Sequence, residues 1–208
     1  MNTLGTSGAH FFFASLALVC ALCCPPALAQ GATGKSSANL PLAKANPEAI
    51  RARAAQVKEF QKLMNDPDAT VRLSALDSML SHDDGLIRDM GFELGFASSD
   101  FAVRSLALRT KLFQSKQLVV ELGELIDSKG VRSRNSQSGT TTTIYFKEFD
   151  VKTGVITDSA GNSAKVSGVQ FTYSTGVMSL LLRLQDNAIL KGTYQSGQTR
   201  LDATAVLQ

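Results

Sequence analysis

Two spacings of apolar residues divide the chain. From residue 46 to 115 they recur every three or four positions; from 116 onward they alternate with polar ones. The first period belongs to a helix with one buried face, the second to a strand with one buried face. The chain therefore reads as an α+β protein. A short antiparallel helical array over 46–115 precedes an antiparallel β-meander over 116–208, closed as a small barrel or laid out as a curved sheet.

The helical part begins at Asn46-Pro47-Glu48, which supplies an N-cap, a proline at the first helical position and an acid in the first turn. Ile50, Ala54, Val57, Phe60, Leu63 and Met64 then follow at helical spacing, and Asn-Asp-Pro-Asp at 65–68 stops the helix. Three segments of sixteen residues come next, in one register. Asp68, Asp84 and Asp100 open them as N-caps. Val71, Ile87 and Val103 fill the next column, then Arg72, Arg88 and Arg104. Ala75, Gly91 and Ala107 are small enough to admit a neighbouring helix. Leu76, Phe92 and Leu108, with Leu80, Phe96 and Leu112 a turn later, complete the apolar face. Each segment reads as one short helix and a tight turn, so successive helices should pack antiparallel.

The stretches "DPDATVRLSAL" at 66–76 and "DFAVRSLAL" at 100–108 resemble the HEAT-repeat family of α-solenoids. The resemblance covers about a third of the chain beyond its leader, and it implies stacked helical pairs that present a surface to a protein partner. Only about two pairs exist, whereas solenoids usually need three or more repeats to bury their faces. Helices about 18 Å long in layers about 10 Å apart present roughly 360 Å², against about 800 Å² per side for a stable partner. One end of the stack therefore needs a cover, and the C-terminal half is the expected cover.

In that half, "KQLVVELGELI" reads as a first strand, and "DSKGVRSRNSQSGTTTT" as a polar loop. Turns are expected at 150–154, 158–162, 174–176, 185–187 and 196–198. Met178, Leu180, Leu182 and Leu184 share one strand face. Ala188, Leu190, Gly192 and Tyr194 share another, and Leu201, Ala203, Ala205 and Leu207 a third. Six to eight strands joined by short loops make a meander, and an eight-stranded barrel leaves room only for side chains or one small ligand.

The amino-terminal segment adds an address. Residues 11–22 are almost wholly apolar, Pro25-Pro26 follows, and Ala27-Leu28-Ala29 matches a signal-peptidase site. No Lys or Arg precedes the apolar run, and it is shorter than the ~20 residues of a membrane span. Cleavage after Ala29 is expected, with 30–45 a flexible leader of small and polar residues and the product periplasmic or secreted. Cys20, Cys23 and Cys24 lack the small preceding residue of a lipid-attachment site. All three cysteines lie in this segment, so neither disulfides nor thiolate chemistry are expected in the exported chain. The net charge of +3 comes without a basic run, which argues against a nucleic-acid partner.

Candidate chemistry is sparse. His82 is the one histidine beyond the leader, and no Gly-x-Ser-x-Gly elbow or zinc spacing occurs there. Asp66 and Asp68 read as turn and cap residues, and Asp158 beside Gly161-Asn162 has too few acids around it for calcium. No enzyme, metal or cofactor is expected. Arg72, Arg88 and Arg104 form either a ladder bonded to neighbouring Asp and carbonyl groups or a basic stripe for an acidic partner. Arg132 and Arg134 lie in the long polar loop, where binding residues often sit. Tyr145, Phe171, Tyr173 and Tyr194 either line a ligand cleft or pack within the sheet. The expectation is thus a non-enzymatic exported envelope protein that binds or scaffolds a protein or cell-surface partner. Its alternative is a barrel or cleft holding an apolar or sugar-like ligand. A cavity lined by Leu and Tyr would favour the alternative, and a filled barrel with an apolar outer patch the first.

Overall fold

A computed structural model describes residues 46–207; the expected signal segment and leader lie outside them. The described residues form four helices and then nine strands. The helices are α1 (Pro47–Met64), α2 (Ala69–Leu80), α3 (Gly85–Ala97) and α4 (Phe101–Ser115). The strands are β1 (Gln117–Ile126), β2 (Arg132–Ser133), β3 (Thr141–Asp150), β4 (Val155–Asp158), β5 (Ser163–Ser167), β6 (Gln170–Ser174), β7 (Met178–Leu184), β8 (Ile189–Ser196) and β9 (Thr199–Val206). Helix gives way to strand between Ser115 and Gln117.

Each helix begins as its sequence dictates. Asn46, Asp68, Asp84 and Asp100 sit in extended backbone, and each side chain accepts from the amide two residues on. The apolar columns face inward: Ile87, Val103, Leu76, Leu108 and Leu112 are fully buried, and Phe92, Phe96 and Leu80 nearly so. Val71 is half-buried, at the margin of the array. Close approach explains the small column. A Cβ on Gly91 would stand 2.9 Å from that of Met79, and one on Gly95 would stand 2.8 Å from that of Ala107 and 3.2 Å from Leu76. As α3 advances from Gly91 to Gly95, its neighbours on α2 recede from Leu80 to Leu76. The two helices are therefore antiparallel.

Lys116, in a left-handed conformation with φ 55°, ends α4 and turns the chain directly into β1. The strands then form an antiparallel eight-stranded barrel of β1 and β3 to β9, with β2 as an extra strand on β1. Closure depends on β1. Its first half, Gln117–Glu121, pairs with β3, and the stretch from Glu121 to Leu125 pairs with β9. A register shift between Leu122 and Leu125 lets one strand serve both neighbours. Gly123 lies in that shift, where a side chain would press on Asp202 at 3.0 Å.

The barrel's eight strands fall within the six to eight expected, and two details differ from the sequence reading. Gly168, with φ +57°, turns β5 into β6 where no turn was expected. The polar loop is not wholly a loop: Arg132 and Ser133 pair with Ile126 and Leu125 as β2. Asp127 and Asn135 organise its remainder by accepting from amides within two to four residues.

The barrel interior is filled by side chains. Val120, Ile156, Phe171, Leu182, Leu190 and Leu201 are fully buried and belong to the same core cluster as the helical residues. Helix α4 carries that core from array to barrel. Phe101 lies at Gly168 in the β5–β6 turn, and Arg104 donates to the carbonyls of Leu184 and Gln185 after β7. Arg109 donates to Val151 O beyond β3, and the Phe113 ring meets Phe149 at 5.7 Å. All these groups belong to one end of the barrel, which α4 covers.

Candidate functional site

The arginine column is engaged within the molecule. Arg72 donates to the carbonyls of Asp66 and Pro67 at 2.8 and 3.0 Å, and its other nitrogen binds the carboxylate of Asp100. Arg88 repeats the first half of this geometry on the carbonyls of His82 and Asp83, at 2.8 and 3.1 Å. Arg104 does not; it turns to the barrel carbonyls and lies 3.8 Å from Asp186. None of the three guanidinium groups pairs with the aspartate four residues before it. Arg53 on α1 binds Asp84, the cap of α3, at 2.5 Å, while Arg72 on α2 binds Asp100, the cap of α4. The ion pairs thus join alternate helices. In each case the arginine's hydrogen bond holds the aspartate below its ordinary pKa.

Arg132 and Arg134 are not brought together into a site. Arg132 clamps Asp202 of β9 through Nε at 2.5 Å, and that pairing raises its already high pKa. Arg134 is exposed in the loop beyond β2. The four aromatic candidates are also divided. Phe171 and Tyr173 are buried in the barrel, Tyr194 is half-buried, and Tyr145 is exposed on the outside of β3.

The one buried carboxylate among the described residues is Asp158, at the end of β4. Its Oδ1 accepts from the amides of Ala160 and Asn162, and its Oδ2 from the Tyr173 hydroxyl at 2.6 Å and the Asn162 amide at 2.8 Å. Burial pushes this carboxyl up, but the hydrogen bonds from Asn162, Tyr173 and Ala160 outweigh it and hold the pKa at about 2. Burial, and then the bond to Asp158, push the phenol of Tyr173 up to about 12. A carboxylate with four donors has no free lone pair aimed at a substrate, so the network ties the β4–β5 turn to β6. His82 is similarly occupied: Nδ1 accepts from the Asp84 amide at 3.0 Å, and Nε2 meets the Gln56 side chain. Among the described residues no three His, Cys, Asp or Glu side chains gather as metal ligands.

The outer face of β5 to β9 escaped the sequence reading. Its outward positions include Lys165, Arg183, Lys191 and Arg200, all exposed. Cross-strand pairing aligns them in rows. Lys165, Thr172, Leu181 and Thr193 make one; Ser163, Ser174, Ser179, Gln195 and Arg200 make another. Arg183 and Lys191 stand directly opposite each other. Three open depressions, of about 620, 440 and 760 Å³, run along this face and share Thr193 and Arg200. Strand alternation places these cations outside, but only pairing register shows that they are neighbours. Comparison with protein-family models, curated proteins and solved structures finds no match to this chain.

Proposed function

We propose that this protein is a non-enzymatic, exported binding module of the cell envelope, in which a HEAT-like helical array and a closed barrel together present a surface to a cell-surface or protein partner. The observation that carries this reading is the filled barrel. Leucine, valine, alanine and aromatic side chains occupy its interior, and α4 covers one end, so binding falls to the outside. The HEAT-like part of the reading rests on the three aspartate caps, the buried apolar columns and the close contacts at Gly91 and Gly95. A small-ligand barrel has less support, because Phe171 and Tyr173 pack in the core and Tyr145 lies outside. The exposed face is polar and cationic rather than apolar, which favours a hydrated cell-surface partner over a greasy one. Export also rests on the apolar run at 11–22 and the cleavage motif Ala27-Leu28-Ala29, with the secreted chain starting at Gln30.

Two measurements test the proposal. Amino-terminal sequencing of protein recovered outside the cytoplasm should read from Gln30. Purified protein should sediment with isolated envelope and be released by salt. An intact Met1 and no association with envelope at low salt would remove the reading.

A further inference from the structure

We propose that the outer face of β5 to β9 binds an anionic polysaccharide, with Arg183, Lys191 and Arg200 as the cations that hold its acidic groups. This rests on the envelope-binding reading above and names the ligand class of that surface.

The first support is an uncompensated charge. Outward positions of β5 to β9 carry Lys165, Arg183, Lys191 and Arg200 against a single carboxylate, Asp202. Asp202 is already clamped by Arg132. Among the described residues no side-chain hydrogen bond or ion pair engages Arg183, Lys191 or Arg200, although the pairs described elsewhere in the molecule occupy Arg53, Arg72, Arg104 and Arg132. Arg183 and Lys191 are direct cross-strand partners. Like charges placed so work against the sheet. An anion between them removes that opposition and adds charge-assisted hydrogen bonds.

The second support is shape. A depression of about 440 Å³ is lined by Arg183, Lys191 and Arg200 together with Gln170, Ser167 and Phe101, and no carboxylate borders it. Gly192 lies in its lining without a side chain, since a Cβ there would stand 1.8 Å from the Leu181 carbonyl oxygen. The depression continues through Thr193 and Arg200 into the neighbouring ones, from Val155 of β4 to Ile126 at the end of β1. Six strand spacings of about 4.8 Å, from β4 through β9 to β1, give a track of about 29 Å, suited to a linear polymer rather than one small anion.

The track's chemistry selects among polyanions. Ser163, Ser174, Ser179, Thr172, Thr193 and Gln195 offer hydroxyl and amide groups in rows, which match sugar hydroxyls. A bilayer would need an apolar face to enter, yet the large exposed apolar residues along the track are Leu181, Val155 and the Phe101 ring at its edge. A single-stranded nucleic acid would need exposed rings on which to stack. Phe101 is the only exposed ring in the lining, because Tyr173 points inward.

Calorimetric titration of the full secreted protein tests the site, with alginate as a polycarboxylate, heparin as a polysulfate and dextran as a neutral control. Alginate or heparin should bind and dextran should not, with affinity falling as salt screens the charges. The triple variant R183Q/K191Q/R200Q should lose at least about tenfold in affinity. It should melt at the same temperature or higher, because a like-charge pair is gone. Lys147→Gln, on β3 outside the track, should bind like the parent. Equal binding by parent and triple variant overturns the site, as does equal weakening by Lys147→Gln or failure of the parent to bind either polyanion. Tighter binding to phosphatidylglycerol vesicles or to an oligonucleotide through the same three residues overturns the polysaccharide assignment. If the site fails while the protein still sediments with envelope, only this assignment falls; if nothing holds it to envelope, the binding reading falls too.

Discussion

The helical array and the barrel bury apolar residues by opposite geometries. The array is open: burial builds from α1, where Met64 alone is buried, to four or five buried residues in each of α2, α3 and α4. Ile50 on α1 remains 55% exposed. The barrel closes on itself through β1 and β9, so its strands support one another without an outside partner. The contrast teaches a dependence. The helices meet the barrel along α4, at one end of a barrel that is closed without them, so they should depend on it more than it depends on them.

The largest effects should expose that asymmetry. Leu76 in the array and Leu182 in the barrel are both fully buried. An aspartate at either site places a charge in the core without a partner, at a cost of several kcal/mol. Leu182→Asp should abolish both helical and strand signals in far-ultraviolet circular dichroism, since the array loses its cover. Leu76→Asp should melt the helices first and leave a strand signal with a separate transition. Should both variants lose both signals in one transition, the barrel leans on the array as much as the array on it.

Glycine substitutions sharpen the same contrast at smaller scale. Gly192→Ala forces a Cβ against the backbone of β7, where only a rearranged barrel relieves the clash. A loss of about 3 kcal/mol or more is expected from chemical denaturation. Gly95→Ala meets Ala107 and Leu76 side chains, which an open stack can accommodate in part. About 1–3 kcal/mol should be lost there. Gly176→Ala has no neighbour within 4 Å and should change stability little.

The joint comes next. Arg104→Met keeps the stem but removes donors to the Leu184 and Gln185 carbonyls. A loss of about 1–2 kcal/mol is expected. Its diagnostic is coupling: the parent should unfold in one transition and the variant in two resolved ones. A single transition with unchanged midpoint would place the coupling elsewhere, on the Phe113–Phe149 contact or on Phe101.

The two halves were also unequally legible in sequence. In the helices, cap, small residue and apolar face recur every sixteen residues, so local chemistry alone located α2, α3 and α4. The alternating faces of β7, β8 and β9 were legible for the same local reason. Barrel closure was not, because a shift of register inside β1 has no signal beyond Gly123. Nor were the long-range partners. The aspartate nearest each arginine in sequence is not its side-chain partner, and Arg132 in a polar loop turned out to be clamped to Asp202, seventy residues away. The cation pair of Arg183 and Lys191 required the hairpin register, which a turn containing two positive-φ residues, Asn187 and Ala188, determines. Asp158 was visible as an acid in a turn, but its burial depended on Tyr173 arriving from the next hairpin.

Apart from the near-neutral Gly176→Ala, that buried acid gives the smallest expected effect and the one most confined to the barrel. Its folded pKa of about 2 lies below the ordinary 3.8, so its stabilisation is complete above 3.8 and is lost as pH falls from 3.8 toward 2. Tyr173 mirrors it. With a pKa raised from 10.0 to about 12, its contribution is complete below 10 and is lost as pH rises toward 12. The hydroxyl-to-carboxylate bond needs Asp158 ionised and Tyr173 protonated together, so it persists between those limits. Tyr173→Phe removes the hydroxyl and keeps the ring, leaving Asp158 one donor short at neutral pH. The variant should be less stable than the parent at pH 7, with the difference shrinking below pH 3 and above pH 11. Because the bond ties the β4–β5 turn to β6, hydrogen exchange should quicken in β4, β5 and β6 while the amides of α2 and α3 keep their rates. Faster exchange spread equally through the helices would mean that the barrel's polar network reaches the array, and that the open half depends on the closed one through more than the cover at α4.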